Sequence, residues 1–346
     1  MSQTMRAIVI PKFGGPEVLA YQEVSKPTPG ADEVLIRVAA FGLNHAEMHM
    51  RKGEWDEWNP ITGLECVGTV ESANFDSSSS ISSAKIAALK PGAKVAALMG
   101  GMGRERPGSY GEFVAVRASN VIPIETNLPW EKLAAIPEVY GTAQVVLFTI
   151  LDLQPGEKIL IRGATSTVGQ AAVHLAVDAG AIVTATTRRT ERFDWLTGPK
   201  FNAAEAVKEE KGLFGSSKDG QAIPSRRFDK ILNLIGNSVL VETISLTRVG
   251  GRICQAGWLG GLAPVQDFNP MIEMPPGIHF SLYHSKVIGD DDFPVDKVFP
   301  LQEIVTKIEN GKWDAEPALV FGYEEIQQAH RALDTHDTGG KIVVKH

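Results

Sequence analysis

The sequence predicts an α/β protein of two parts, one β-rich and one a doubly wound parallel sheet, and three observations predict it. The first third is a succession of short β-branched runs bounded by Gly, Pro and Asp. From Lys158 onward strand patterns alternate with helical ones, the signature of parallel βαβ units. The length, 346 residues, is that of roughly two domains rather than one core.

Taken in order, the runs EVLIRVAAFG, VGTVESANF, GAKVAAL and YGEFVAVRA read as strands. Between the second and third lies DSSSSISSAKIAALKPG, a serine-rich insertion that reads as a mobile surface loop. After residue 128 the texture turns helical in LPWEKLAAIPEVYGTAQVVLFTILDL. The C-terminal stretch adds two helices, FPLQEIVTKIENG and YEEIQQAHRAL, and a last strand, KIVVKH.

Composition narrows the function. Hydrophobic content of 43% and charged content of 22% are those of an ordinary globular protein. The opening apolar run is too short for a signal peptide, and no stretch of about 18 apolar residues follows it, so a cytoplasmic protein without a membrane partner is expected. Cys66 and Cys254 alone build neither a disulfide framework nor a four-cysteine zinc lobe. A net charge of -7 and a pI near 5.7 argue against nucleic acid. The basic spots TTRRTER and PSRRFDK suit a small anionic ligand.

FGLNHAEMHMRKG, residues 41–53, raises the question of a metal, since His45 and His49 stand one helical turn apart. That is half a tetrahedral site. The order His-Ala-Glu-Met-His matches neither HExxH nor HxxEH, so no general base is placed with the pair.

The most informative stretch is EKILIRGATSTVGQAAVHLAVDAGAIVTATTRRTER. A buried strand, Lys158 to Arg162, enters a glycine-containing turn and then a helix whose apolar residues, Val168, Ala171, Ala172, Leu175, Ala176 and Ala179, share one face. Gly180 stands where a left-handed residue closes the helix, and a second strand, Ala181 to Thr186, follows. The helix N-terminus of such a βαβ unit offers backbone N–H groups to a pyrophosphate. Gly163, Ser166, Thr167, Val168 and Gly169 are therefore candidate cofactor residues, with the Ser166 hydroxyl as a donor where the usual motif has glycine. At the end of the second strand, where NAD sites carry an acid, the chain has Thr187, Arg188 and Arg189. Guanidinium groups grip a 2′-phosphate by charge-assisted hydrogen bonds, so NADPH is the expected cofactor.

With these residues in hand the chain resembles the medium-chain dehydrogenase/reductase superfamily, in its zinc-independent quinone oxidoreductase-like branch. VAAFGLNHAE, ITGLECVGTV, LKPGAKVAAL, GSYGEFVAV, YGTAQVVL, the βαβ unit, GGRICQAG and TGGKIVV carry the resemblance over nearly the whole length. It implies a GroES-like catalytic domain formed by both ends of the chain, with a Rossmann domain inserted. The expected boundaries are 1–127, 128–287 and 288–346. Within its motifs Gly257 and Lys341 are further candidate cofactor residues.

The resemblance also answers the question of metal. The positions of two zinc ligands in the family's alcohol dehydrogenases fall on Asn44 and Leu64, and EVYGTAQ lacks the third, a cysteine. Neither an amide nor leucine replaces thiolate or imidazole at zinc. Without a Lewis acid, substrates that already accept hydride are expected: quinones and α,β-unsaturated carbonyls. Asn44 and Tyr140 are the candidate catalytic residues. Where relatives that reduce enoyl groups have a tyrosine, eleven residues after Asn44, this chain has Trp55, which donates no catalytic proton. A catalytically weak NADPH-binding protein and a zinc alcohol dehydrogenase are the alternative functions. The resemblance further implies a homodimer, through an edge strand near GIHFSLYHS.

Overall fold

The computed structural model describes residues 3–215, 225–285, 294–335 and 338–346. They form two compact units, 1–141 with 285–346 and 142–284.

In the first unit β1 (Thr4–Val9) and β2 (Ala20–Ser25) make an antiparallel pair. The larger sheet starts with β3 (Glu33–Gly42), β4 (Glu65–Asn74), β5 (Lys94–Leu98), β6 (Phe113–Arg117) and β7 (Val121–Pro123). β3 pairs β4 antiparallel with register breaks at Leu35/Ile36 and Val38/Ala40. Gly68 sits so close to β3 that a Cβ there would meet the Arg37 carbonyl oxygen at 2.0 Å. That contact explains a glycine inside a strand.

Helix α1 (His45–Lys52) begins at Asn44 and ends on Gly53, whose φ of 74° is the left-handed cap. The serine-rich insertion is more ordered than its composition predicts. It contains helix α2 (Ser83–Ala88), capped by the Ser82 hydroxyl, which accepts from the Lys85 N–H. Serine that disfavours a helix interior favours its first position, so a polar tract can begin a helix. Helix α3 (Trp130–Leu133) packs on β3 and β4. Helix α4 (Pro137–Gln144) runs on into a π-helical turn, Val145–Ile150. By length and composition the run Trp130–Ile150 is apolar enough to cross a membrane, but most of it is buried, as in a core helix.

The second unit is a six-stranded parallel sheet of β8 (Lys158–Arg162), β9 (Ile182–Thr187), β10 (Glu205–Lys208), β11 (Phe228–Asn233), β12 (Thr247–Gln255) and β13 (His279–Leu282). Its order, β10-β9-β8-β11-β12-β13, is the doubly wound Rossmann order. Helices α5 (Thr167–Asp178), α6 (Phe193–Thr197), α7 (Leu240–Ser245) and α8 (Pro270–Glu273) lie between its strands in sequence. Leu160, Phe228, Ile231, Ile244 and Ile253 centre one of its apolar clusters.

The chain then returns to the first unit through α9 (Val295–Val298), α10 (Leu301–Glu309), β14 (Leu319–Gly322), α11 (Ile326–Asp334) and β15 (Ile342–Lys345). β15 inserts between β14 and β3, completing the order β14-β15-β3-β4-β5-β7, with β6 also on β3. Phe41, Val114, Ile326 and Val344 meet in the core of this sheet, so both ends of the chain build it. The division at residue 141 differs from the boundary expected at 128, because helical texture begins before the chain leaves the first unit. Residues 128–141 remain there through the packing of α3 and the contacts of Glu138. The later boundary falls at 284/285, and residue 288 is outside the described residues.

Candidate functional site

In the second unit the site is the turn between β8 and α5. Gly163 has a φ of 84°, and a Cβ on Gly169 would meet the Gly163 carbonyl oxygen at 2.4 Å, so the turn closes only with glycine at both places. Ser166 caps α5. Its hydroxyl donates to the Gly163 carbonyl at 2.8 Å and accepts from the Gly169 N–H at 3.2 Å. In this structure the Ser166 hydroxyl is thus bonded within the turn itself. The first N–H groups of α5, beginning with those of Thr167 and Val168, have no intrahelical acceptor, a geometry that suits an anion.

The turn is tied to the end of β9. Gly163 N–H donates to Thr186 Oγ1 at 3.2 Å, and the Thr165 and Thr187 hydroxyls lie 3.3 Å apart. Thr187 is buried, while Arg188 and Arg189, which follow it, are exposed. Gly257 occurs just past β12, where a Cβ would meet the Leu234 carbonyl oxygen at 2.6 Å. The turn and the helix N-terminus fit a nicotinamide dinucleotide.

The first unit holds a buried polar cluster. Asn44, at the start of α1, accepts from Lys341 Nζ at 2.5 Å through Oδ1, and its Nδ2 donates to Glu47 at 3.1 Å and Glu65 at 3.3 Å. Lys341, just before β15, also lies 2.7 Å from Glu65 Oε1 and 3.4 Å from Glu138 Oε2. Glu47 takes the Asn44 N–H at 2.7 Å and the Leu64 N–H at 3.1 Å. Gly42 makes room for all of this, since a Cβ there would strike Lys341 Cε and Glu65 Oε1. Burial pushes the Glu47 carboxyl up to about 7, against the pull of the Lys341 ammonium and of its N–H donors. Burial lowers Lys341, but Glu65 and Glu138 outweigh it and hold the ammonium above its usual range.

Of the residues that sequence singles out, Asn44 and Lys341 are brought together, and Lys341 is enclosed by oxygen atoms of its own unit. Tyr140 is buried in α4 and stacked on Trp313, ring centroids 5.8 Å apart; burial raises its hydroxyl well above the usual phenol range. Trp55 lies against the Arg104 guanidinium, 4.9 Å from its ring centroid, and Arg104 donates to Ser285 Oγ at 2.8 Å. His49 Nδ1 is 2.6 Å from Glu54 Oε2. Among the described residues no group of three or more His, Cys, Asp or Glu side chains is arranged to hold a metal ion. Sequence reasoning missed Glu65 and Glu138 as partners of Lys341. The signal available for Glu65 was an acid beside a buried leucine in GLEC.

A β-rich unit built from both chain ends and a nicotinamide-type dinucleotide fold define an oxidoreductase class, and comparison with known proteins specifies it. The alcohol dehydrogenase GroES-like domain family matches residues 30–126, and the zinc-binding dehydrogenase family matches residues 201–344. Quinone oxidoreductase of Mus musculus is 30% identical over 265 residues, 74% of each chain. Among solved structures, the quinone oxidoreductase from Coxiella burnetii aligns over 99% of this chain and 100% of its own at a TM-score of 0.77 and 22% identity. A mycobacterial protein solved in complex with NADPH aligns over 99% and 100% at 0.79 and 19%. The chain belongs to the medium-chain dehydrogenase/reductase superfamily, in its quinone oxidoreductase-like branch.

One of those family descriptions implies zinc, which the side chains here do not fit. The two residues that the resemblance sets at ligand positions of the zinc enzymes are Leu64, a buried hydrocarbon, and Asn44, whose amide is engaged by Lys341, Glu47 and Glu65. An ammonium 2.5 Å from the amide oxygen stands where a cation ligand set would have to open.

Proposed function

We propose that the protein is an NADPH-dependent reductase that transfers hydride to a quinone or an α,β-unsaturated carbonyl without a metal. The observation that carries this is the cluster of Asn44, Glu65 and Lys341, in which a lysine ammonium, fixed by three oxygen atoms, stands against the Asn44 amide. A site without a Lewis acid favours acceptors that need no carbonyl activation.

NADPH, when bound, supplies the hydride. The chain would hold its pyrophosphate at the start of α5 and its 2′-phosphate with Arg188 and Arg189. The Asn44 amide, held by Lys341, Glu47 and Glu65, would reach an acceptor or a ribose only by exchanging one of its carboxylate bonds. Quinone oxidoreductases among the relatives and the NADPH complex among the fold neighbours support the same assignment. We also propose a homodimer through β13, the edge of the parallel sheet, where Phe280 and Leu282 are exposed.

Replacing Arg188 and Arg189 with Ala tests the cofactor. NADPH binding should weaken about 10-fold or more with NADH nearly unchanged; equal losses for both would overturn the assignment. Reduction of quinones or enals with NADPH, maintained in a strong chelator, tests the chemistry. One tightly bound zinc per chain, lost together with activity, would refute it.

A further inference from the structure

Arg162, the last residue of β8, enters the glycine turn with a side chain that is wholly buried. Its guanidinium grips Glu209 with both Nε, at 3.2 Å from Oε2, and Nη2. Nη2 also reaches Glu242 Oε1 at 3.1 Å, and Nη1 donates to Thr243 Oγ1 at 2.8 Å. Glu209 follows β10, and its N–H donates to the Thr187 carbonyl at 2.8 Å. Its Oε2 accepts from Thr186 Oγ1 at 2.6 Å, the same hydroxyl that receives the Gly163 N–H. Glu242 Oε2 takes the Gly212 N–H at 3.2 Å.

One guanidinium thus serves two nearly buried carboxylates, and one of them is bonded through backbone and side chain to the two residues that lead into Arg188 and Arg189. An acid at the tip of β9 is what repels a 2′-phosphate in NAD sites. Here the acid is one strand over, and its charge is covered by a forked, desolvated arginine contact.

We propose that Arg162 is a specificity-determining residue. By covering Glu209 it keeps the tip of β9 electrostatically open to the 2′-phosphate, so that discrimination between NADPH and NADH depends on a residue behind the turn as well as on the arginines in front of it. This rests on the NADPH assignment above.

The test is Arg162→Met, which keeps an apolar stem and removes the charge, with dissociation constants for NADPH and NADH measured by fluorescence titration of the full chain. NADPH should lose roughly 10-fold more than NADH, an effect that shrinks with added salt, and adding Glu209→Gln should restore most of the discrimination. Glu209→Gln alone should raise the preference for NADPH several-fold, and it serves if Arg162→Met fails to fold. Equal losses for both cofactors, no restoration in the double variant, or no gain in Glu209→Gln would reduce Arg162 to a structural tie. Wild-type protein that binds the two cofactors equally would overturn the NADPH assignment itself. A wild-type preference that survives Arg162→Met would overturn the role of Arg162 alone.

Discussion

Replacing Lys341 with Met removes the ammonium that contacts the buried carboxylate of Glu65 and the partly buried one of Glu138. At the observed 2.7 and 3.4 Å, an effective dielectric of ~20 gives about 6 and about 5 kcal/mol of Coulomb attraction. Deletion should cost less than that sum, because a stranded carboxylate can take up a proton. For an ordinary glutamate at pH 7 that route costs about 3–4 kcal/mol, close to the ~3–5 kcal/mol typical of breaking a buried pair by removing one partner. Lys341→Met should therefore lose about 3–5 kcal/mol at pH 7, read from urea unfolding of the unit that contains it. Protonation becomes easier as pH falls, so the loss should shrink by about 1.4 kcal/mol per pH unit between 7 and 5. Adding Glu65→Gln should recover most of it. A loss below about 1 kcal/mol, or one independent of pH, would refute the assignment of Lys341 as the fixed cation of the cluster.

Trp55→Tyr should raise turnover of enals and leave small quinones roughly unchanged, since only α-carbon protonation of an enolate benefits from a placed acid; kinetics at saturating NADPH decide, and equal changes for both substrates count against it. His330, hydrogen-bonded to Tyr110 at 2.8 Å, is lowered to about 3 by burial and by Arg51. Because its folded value is depressed, its contribution to stability is present above about 6.5 and is lost as pH falls toward 3, by about 1.4 kcal/mol per unit. His330→Gln should flatten that slope in acid unfolding curves, and an unchanged slope speaks against it. Leu282→Asp on the exposed face of β13 should convert a dimer to monomer in sedimentation, and a wild-type monomer would dispose of the proposed interface.

Elements whose signal is local were legible in the sequence. The span of β3 and of β8, the α5 face and the left-handed Gly180 follow from periodicity and from what glycine alone tolerates. The α2 helix was hidden because serine is both a loop residue and a helix cap, and only the bond from Lys85 N–H to Ser82 distinguishes the two roles. The bond of the Ser166 hydroxyl to the Gly163 carbonyl is not visible in the sequence, because it depends on how the turn folds back. The polar cluster was the least legible part. Lys341 meets Asn44 across a separation of 297 residues, and no spacing rule links Glu65 or Glu138 to either. The same holds for Arg162 and Glu209, where a charge in a strand gave no hint of its partner.

The insertion of β15 between β14 and β3 has a consequence for synthesis on the ribosome. Gly42 waits for Val343, so the last three residues of β3, Ala40 to Gly42, lack their β15 partner while about 300 residues are added, roughly 15–60 s at ordinary elongation rates, although β4 and β6 already pair the rest of the strand. In that interval the parallel sheet of the second unit has all its strands and can fold, whereas the first still lacks the β15 ladder at the end of β3. The end of β3 is therefore the last part of that strand to be paired, by Val343–Lys345, long after β4 and β6 have taken their places on it.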